Sequence, residues 1–186
     1  MNKIIIGLIG ELAAGKGTIT NYLKEKHQAV SFRYSDSLRE NLEIFGLEIS
    51  RENMQKISTL LRSNFGENIL AKAILKKVQD SNQKIIVIDG VRRHTDLENL
   101  GDLPGFNLIY ITADQKTRYD RYIKRNENAG DDQMTFEQFK EKENAEADRQ
   151  IPEVAKTAKY KIDNNGTINE LYQQLEKILK KINESR

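Results

Sequence analysis

The most specific chemistry in this chain lies close to its start. Gly10-Glu11-Leu12-Ala13-Ala14-Gly15-Lys16 has the spacing G-x-x-x-x-G-K and is followed by Gly17 and Thr18. Small residues such as Gly10, Ala13, Ala14, Gly15 and Gly17 let consecutive backbone N–H groups converge on phosphate oxygens. The helix start beyond them adds partial positive charge. Lys16 is a point charge able to reach β- and γ-phosphates. The general motif has Ser or Thr directly after the lysine; here Gly17 intervenes, so the hydroxyl expected near Mg2+ moves to Thr18. A second group answers the first. Asp89 ends the apolar run Ile85–Ile88, and an acid at the end of a buried strand beside a phosphate loop is the Walker B arrangement, organising Mg2+ partly through water.

Further cations are spread along the chain in segments of their own. Arg39 follows Asp36 within Tyr34–Arg39, Arg62 lies in Ser50–Gly66, and Arg92 and Arg93 follow Asp89-Gly90. A guanidinium is a planar fork that suits phosphate oxygens. Arg118, Arg121 and Arg125 recur at i, i+3 and i+7, which places them on one helix face. His27 and His94 have no supporting cluster, and no serine, histidine and acid set with supporting context is present.

The elements that must position these groups read as an α/β pattern. Five short apolar or β-branched segments predict strands at Lys3–Ile9, Val30–Tyr34, Lys84–Asp89, Asn107–Thr112 and Lys159–Asp163. Helical patterns occupy Thr18–Lys26, Ser37–Phe45, Arg51–Phe65, Glu67–Val78, Asp114–Arg125, Thr135–Arg149 and Ile168–Ile182. In the last, Ile168, Leu171, Leu175, Ile178 and Leu179 share one face; in Arg51–Phe65, Met54, Ile57, Leu60 and Leu61 do. Strands alternating with helices predict a parallel sheet covered on both sides, with ligands at the carboxyl ends of its strands. Two regions interrupt the alternation, the helical block after the second strand and the polar stretch Asn126–Met134; each suits a small moving flap.

Composition narrows the field. The chain has 186 residues, one domain of ordinary size, with 38% hydrophobic and 31% charged residues. A formal net charge of +2 lacks the electrostatic footprint of a dedicated nucleic-acid binder. The absence of cysteine excludes disulfides, thiolate metal sites and a cysteine nucleophile. No apolar stretch approaches a membrane span and no signal peptide is evident, so a cytoplasmic location is expected.

The form GKGT at Gly15–Thr18 is the one found in adenylate kinase and its relatives, and the chain resembles the nucleoside-monophosphate kinase superfamily. It is most similar to uncharacterised adenylate-kinase-related proteins of archaeal type and, less closely, to dephospho-coenzyme A kinase. Tyr34–Arg39 resembles the family segment T-G-D-x-L-R, with Ser35 where glycine is usual. Asp89-Gly90 with Arg93 resembles D-G-F-P-R, and with Arg92 the shorter D-G-x-R. The resemblance implies a P-loop three-layer α/β/α fold with a five-stranded parallel sheet. Within a single kinase domain, 1–186, it implies a helical acceptor-binding flap at 36–79 and a small lid at 121–149. It implies ATP and Mg2+ as cofactors, with Lys16, Arg39, Asp89, Arg121 and Arg125 as catalytic residues.

By the same resemblance, the nucleotide lies on the glycine loop, Thr18 and Arg121, with its base against Asn165 and Gly166. The acceptor lies on Asp36, Arg39, Arg62, and Arg92 or Arg93, and Mg2+ on Thr18 and Asp89. Gly130, Asp131 and Asp132 would form the lid tip, packed by Phe136 and Phe139. Structural readings stand beside these. Ser35 or Asp36 suits a helix N-cap, and Thr167 suits the cap of the last helix. The activity implied is transfer of the γ-phosphoryl of ATP to a nucleoside or deoxynucleoside monophosphate. Dephospho-coenzyme A as acceptor, and a nucleotide-switch ATPase acting on a macromolecule, are the other readings. The partner expected is a small nucleotide acceptor; a monomer is the default and a homodimer is the other state allowed.

Overall fold

The computed structural model describes residues 3–125, 131–143 and 149–185. Five strands, β1 (Ile4–Ile9), β2 (Val30–Arg33), β3 (Ile85–Val91), β4 (Phe106–Thr112) and β5 (Tyr160–Asp163), form one sheet in the order β2-β3-β1-β4-β5. Every neighbouring pair is parallel. The helices are α1 (Lys16–His27), α2 (Tyr34–Ile44), α3 (Arg51–Phe65), α4 (Ile69–Asp80), α5 (His94–Leu97), α6 (Gln115–Arg125), α7 (Phe136–Glu143), α8 (Ile151–Ala155) and α9 (Ile168–Glu184).

Side chains alternate across each strand, and both faces of this sheet are apolar, as burial on two sides requires. Ile4, Ile6 and Leu8 of β1 join Val87, Ile109, Ile111 and Ile162 beneath α1 and α9. Ile5 and Ile9 face the other way and join Ile86, Ile88 and Leu108 with residues of α2, α4 and α8. The result is the expected three layers. All five strands run the same way, so their carboxyl ends gather at one rim. There the chain places the glycine loop after β1, Arg33 at the end of β2, Asp89 near the end of β3, Ala113 after β4 and Asn164 after β5.

Several elements differ from the sequence reading. Tyr34 begins α2 instead of ending β2. Its ring is buried and its hydroxyl donates to the backbone carbonyl of Asp96, 2.7 Å away. Helix α2 thus starts two residues before Asp36, with Arg33 as its extended N-cap, and neither Ser35 nor Asp36 caps it. Helices α5 and α8 are unforeseen because each is five residues or shorter, too brief for a helical period to register. Leu60 and Ile168 are exposed, at 60% and 55%, whereas their predicted partners turn inward. The expected cap of the last helix is present: Thr167 accepts from the Glu170 N–H, and Glu170 reaches back to the Thr167 N–H. Gly130 of the expected lid tip and residues 144–148 of the expected helix before Arg149 lie outside the described residues.

Candidate active site

The glycine loop is built by close approach. A Cβ on Gly10 would stand 2.3 Å from the Ile111 carbonyl oxygen, so β1 and β4 meet here without room for any side chain. Gly15 has φ +110°, and a Cβ there would strike Asn164 Nδ2 at 2.3 Å. Ala13 also has positive φ, +58°. Asn164, buried, donates from Nδ2 to the Ala14 carbonyl at 2.8 Å, while its own N–H bonds the Thr112 carbonyl. The loop is therefore braced from β5 across β4.

Lys16 folds over this loop, its Nζ donating to the carbonyls of Gly10 at 2.6 Å and Glu11 at 2.9 Å. The ammonium is thus held at the mouth of the loop. Helix α1 starts on Gly15, which offers no capping side chain. The first-turn N–H groups are then donors that an anion can take up. Thr18 stands half-buried on this first turn.

Asp89 lies in register with Leu8 of β1 on one side and Arg33 of β2 on the other. Its side chain is 11% exposed and its Oδ2 is 3.3 Å from Arg33 Nε. Among the described residues no set of three or more acidic, histidine or cysteine groups is arranged to hold a metal. A hydroxyl at Thr18 and a carboxylate at Asp89 nevertheless suit Mg2+, which keeps waters and binds through one or two carboxylates plus substrate phosphates.

On the β2 and β3 side, Arg39 Nη1 donates to Ser35 Oγ at 2.8 Å and to Asp36 Oδ1 at 3.0 Å, one turn back on α2. Arg62 is turned inward, 9% exposed, and paired with the buried Asp96 at 3.2 Å. Arg92 is exposed, and Arg93 is half-buried with Nη1 3.3 Å from Glu67 Oε2. Burial, helped by the Asp96 charge and opposed by Arg62, pushes the Tyr34 phenol far above its ordinary pKa. The phenol therefore acts there as a donor.

On the β4 and β5 side, Arg118 is buried and works as a bolt. Its Nε donates to the Ala113 carbonyl at 2.9 Å, its Nη1 to the Leu12 carbonyl at 3.2 Å, and the guanidinium also engages Glu143 of α7. Arg121 is half-buried, and its Nη1 has no hydrogen-bond partner among the described residues. Arg125 is exposed, its guanidinium 5.8 Å from the Tyr122 ring centre. Helix α7 rests on α6 through Phe136 and the fully buried Phe139, both edge-on to Tyr119. Asp131 is buried and accepts from the Tyr122 hydroxyl. Asn165 Oδ1 accepts from the Asp114 N–H at 2.8 Å, tying the β5–α9 turn to the start of α6, with Gly166 beside it. Glu11 accepts from the Tyr110 hydroxyl, and burial first and this bond second push that phenol's pKa up.

Arg33, Asp96 and Asn164 escape the sequence reading. Arg33 carries a signal, a cation directly before Tyr34–Arg39 at the end of a strand. Asp96 and Asn164 carry none beyond lying next to residues already singled out.

Known proteins bear on this arrangement. A family model described as an AAA domain matches residues 6–150, from β1 through the region around α7. A UPF0200 protein of Methanococcus vannielii is 30% identical over 180 residues, covering 96% of this chain and 96% of its own. This chain belongs to the UPF0200 family. Two solved structures share the fold of this UPF0200 member. A gluconokinase from Sinorhizobium meliloti superposes with a TM-score of 0.60 at 12% identity, covering 99% of this chain and 95% of that one. A shikimate kinase from Bacteroides thetaiotaomicron gives 0.55 at 16% identity, covering 95% and 98%. At these identities the likeness is one of fold: the three-layer α/β/α fold of P-loop kinases, here on a UPF0200 chain.

Proposed function

We propose that this protein is a phosphotransferase that moves the γ-phosphoryl of ATP to a nucleoside or deoxynucleoside monophosphate. The observation that carries the reading is the division of cations about one rim. Lys16 and the α1 N-terminus follow the central β1. Arg33, Arg39 and the Arg92-Arg93 turn belong to the elements at the ends of β2 and β3 on one side, and Arg121 and Arg125 lie on α6, which follows β4 on the other. Two anionic ligands, one on each side of the glycine loop, explain cations on both flanks better than one does.

In this reading the loop N–H groups and Lys16 bind the donor's β- and γ-phosphates, with Arg121 and Arg125 closing over them from α6. Arg39, with Arg92 or Arg93, holds the acceptor phosphate, and Asp36 lies near the transfer point. Thr18 and Asp89 are the residues that would hold Mg2+, which would supply positive charge against the phosphates of the donor. The protein's own task is in-line positioning and fixed positive charge, since phosphoryl transfer needs little covalent help. Helices α2–α4 on one side and α6–α7 on the other are the elements suited to exclude water.

The test is ADP formation from Mg·ATP across nucleoside monophosphates, deoxynucleoside monophosphates and dephospho-coenzyme A, with Lys16→Ala as blank. Strong stimulation by one class of monophosphate is expected. Turnover with dephospho-coenzyme A alone would move the acceptor to a hydroxyl. Acceptor-independent hydrolysis that disappears in the blank would replace the kinase with a nucleotide switch.

A further inference from the structure

Asp96 lies outside every motif that marks the site, yet it is among the most deeply buried charged residues, 3% exposed. Its Oδ2 accepts the backbone N–H groups of both Arg92 and Arg93, each at 3.0 Å. Its Oδ1 receives Arg62 Nη2 at 3.2 Å. Its backbone carbonyl receives the Tyr34 hydroxyl at 2.7 Å. One residue thereby ties the start of α2, the last turn of α3 and the β3–α5 turn. Arg62 Nη1 then donates to the Glu67 carbonyl, and the Glu67 carboxylate meets Arg93 Nη1 at 3.3 Å. The chain of contacts closes into a ring through Asp96, Arg62, Glu67 and Arg93.

Stability alone is a poor reason for such a ring. Desolvating a buried ion pair consumes most of its mutual attraction, and a well-packed apolar pair of similar volume often does as well. A ring of directed bonds does fix geometry. Two adjacent amides held by one carboxylate oxygen set the backbone of the turn, and with it the direction in which each arginine leaves. Arg93 is turned back into the ring, with its side chain 16% exposed, while Arg92 is the more exposed of the two. Tyr34, on the other arm of the hub, opens the helix that carries Asp36 and Arg39.

We propose that Asp96 is a positioning residue that presets the spacing of an acceptor clamp. Arg92 is the arm that meets the acceptor phosphate, and Arg93 and Arg62 are braces. The inference rests on the phosphate-acceptor reading above and assigns separate roles to three arginines that the sequence leaves equivalent. A phosphate offers several oxygens to two planar forks. Arg39 and Arg92 come from different segments, so a separation fixed before binding spares the cost of ordering them during binding.

Asp96→Asn keeps the shape of the side chain but leaves one acceptor oxygen; with that oxygen drawn to the Arg62 guanidinium, the amide N–H2 faces the 92 and 93 N–H groups. Hydrogen–deuterium exchange at the 92 and 93 amides is expected to quicken at least tenfold in this variant. The KM for the preferred monophosphate should rise about 10-fold, the loss of one charge-assisted contact. The kcat and the binding of a fluorescent ATP analogue should stay within about 3-fold. Arg92→Ala should raise the same KM about 10- to 100-fold, and Arg93→Ala clearly less. Arg62→Lys, which retains the charge, should fall between wild type and Asp96→Asn.

A larger effect from Arg93→Ala than from Arg92→Ala would overturn the assignment of arm and brace. Unchanged exchange in Asp96→Asn would overturn the hub. So would parallel losses of KM, kcat, nucleotide binding and melting temperature, which mark a merely structural pair. If the wild-type protein turns over no monophosphate, the kinase reading and the arm role of Arg92 both fail. Exchange at the two amides then decides the hub by itself.

Discussion

At the scale of single residues, the glycine loop makes opposite demands at two of its glycines. Gly10 faces backbone: an added Cβ would stand 2.3 Å from the Ile111 carbonyl oxygen, and neither strand can retreat within a parallel sheet. Gly17, in the first turn of α1, has open space where a Cβ would stand, with no other atom within 4 Å, and a φ that any residue accepts. Gly10→Ala should therefore overpack the loop by about 1–3 kcal/mol, which is roughly 2–12 °C in melting temperature for a chain of this length. Gly17→Ala should leave the melting temperature unchanged or slightly higher, because alanine is the better helix former. Thermal denaturation of the two variants checks the pair. Equal losses at both positions would mean that the close approach at β4 does not govern the loop.

At the scale of elements, α1 and α9 cover one face of the sheet and are joined far from the loop by a polar contact. His27 Nε2 lies 2.7 Å from Glu176 Oε1, and the Tyr22 hydroxyl donates to the same oxygen at 2.9 Å. Burial pulls the Glu176 pKa upward, but the bonds from His27 and Tyr22 and the nearby imidazole outweigh it and leave the carboxyl below its usual 4.5. A depressed carboxylate stabilises the fold above the unfolded pKa and loses that contribution as pH falls through the folded value. The window is thus acidic, at and below about pH 4.5. Glu176 is 44% exposed, so solvent screens the contact. Glu176→Gln should lower the melting temperature by only about 1–2 °C near neutrality and leave it unchanged at low pH, where the contribution is already lost, so the acid limb flattens by that amount. An undiminished acid limb would place the sensitivity elsewhere. Long elements such as these are legible in the sequence, because α9 repeats apolar residues over seventeen positions and β1 is a run of isoleucines between turn signals. The positions of the glycine loop and Asp89 are legible for a different reason: a glycine-rich spacing after one apolar run and an acid closing another mark the ends of β1 and β3 directly. The pairing of Arg62 with Asp96 is not, since a charge on an amphipathic helix looks the same whether it faces water or a buried partner. Tyr34 reads as strand because β-propensity favours it there, while its tertiary partner, the Asp96 carbonyl, lies sixty-two residues away.

At the scale of the whole molecule, the glycine loop is the point where the layers meet. Asn164 holds it from β5, Arg118 holds the Leu12 carbonyl and α7 at once, and α1 runs from it through one layer. Any ligand seated on the loop should then stabilise every layer, because unfolding any of them releases it. Binding to the native state alone adds RT ln(1 + [L]/Kd), about 2.7 kcal/mol at a hundredfold excess over Kd. For a chain of this length that is a rise in melting temperature of roughly 5–11 °C. Mg·ATP at saturation should give a shift of this size. Lys16→Ala should abolish it, and chelating the divalent ion should reduce it, as the proposed sharing of that ion between Thr18, Asp89 and the phosphates requires. A monophosphate acceptor alone should give a smaller shift that survives Lys16→Ala, because its proposed contacts lie on α2 and the β3–α5 turn. The two shifts should add when both ligands are present. A Mg·ATP shift that persists undiminished in Lys16→Ala would show that nucleotide binds away from the glycine loop, and the reading of the rim as a two-ligand site would go with it.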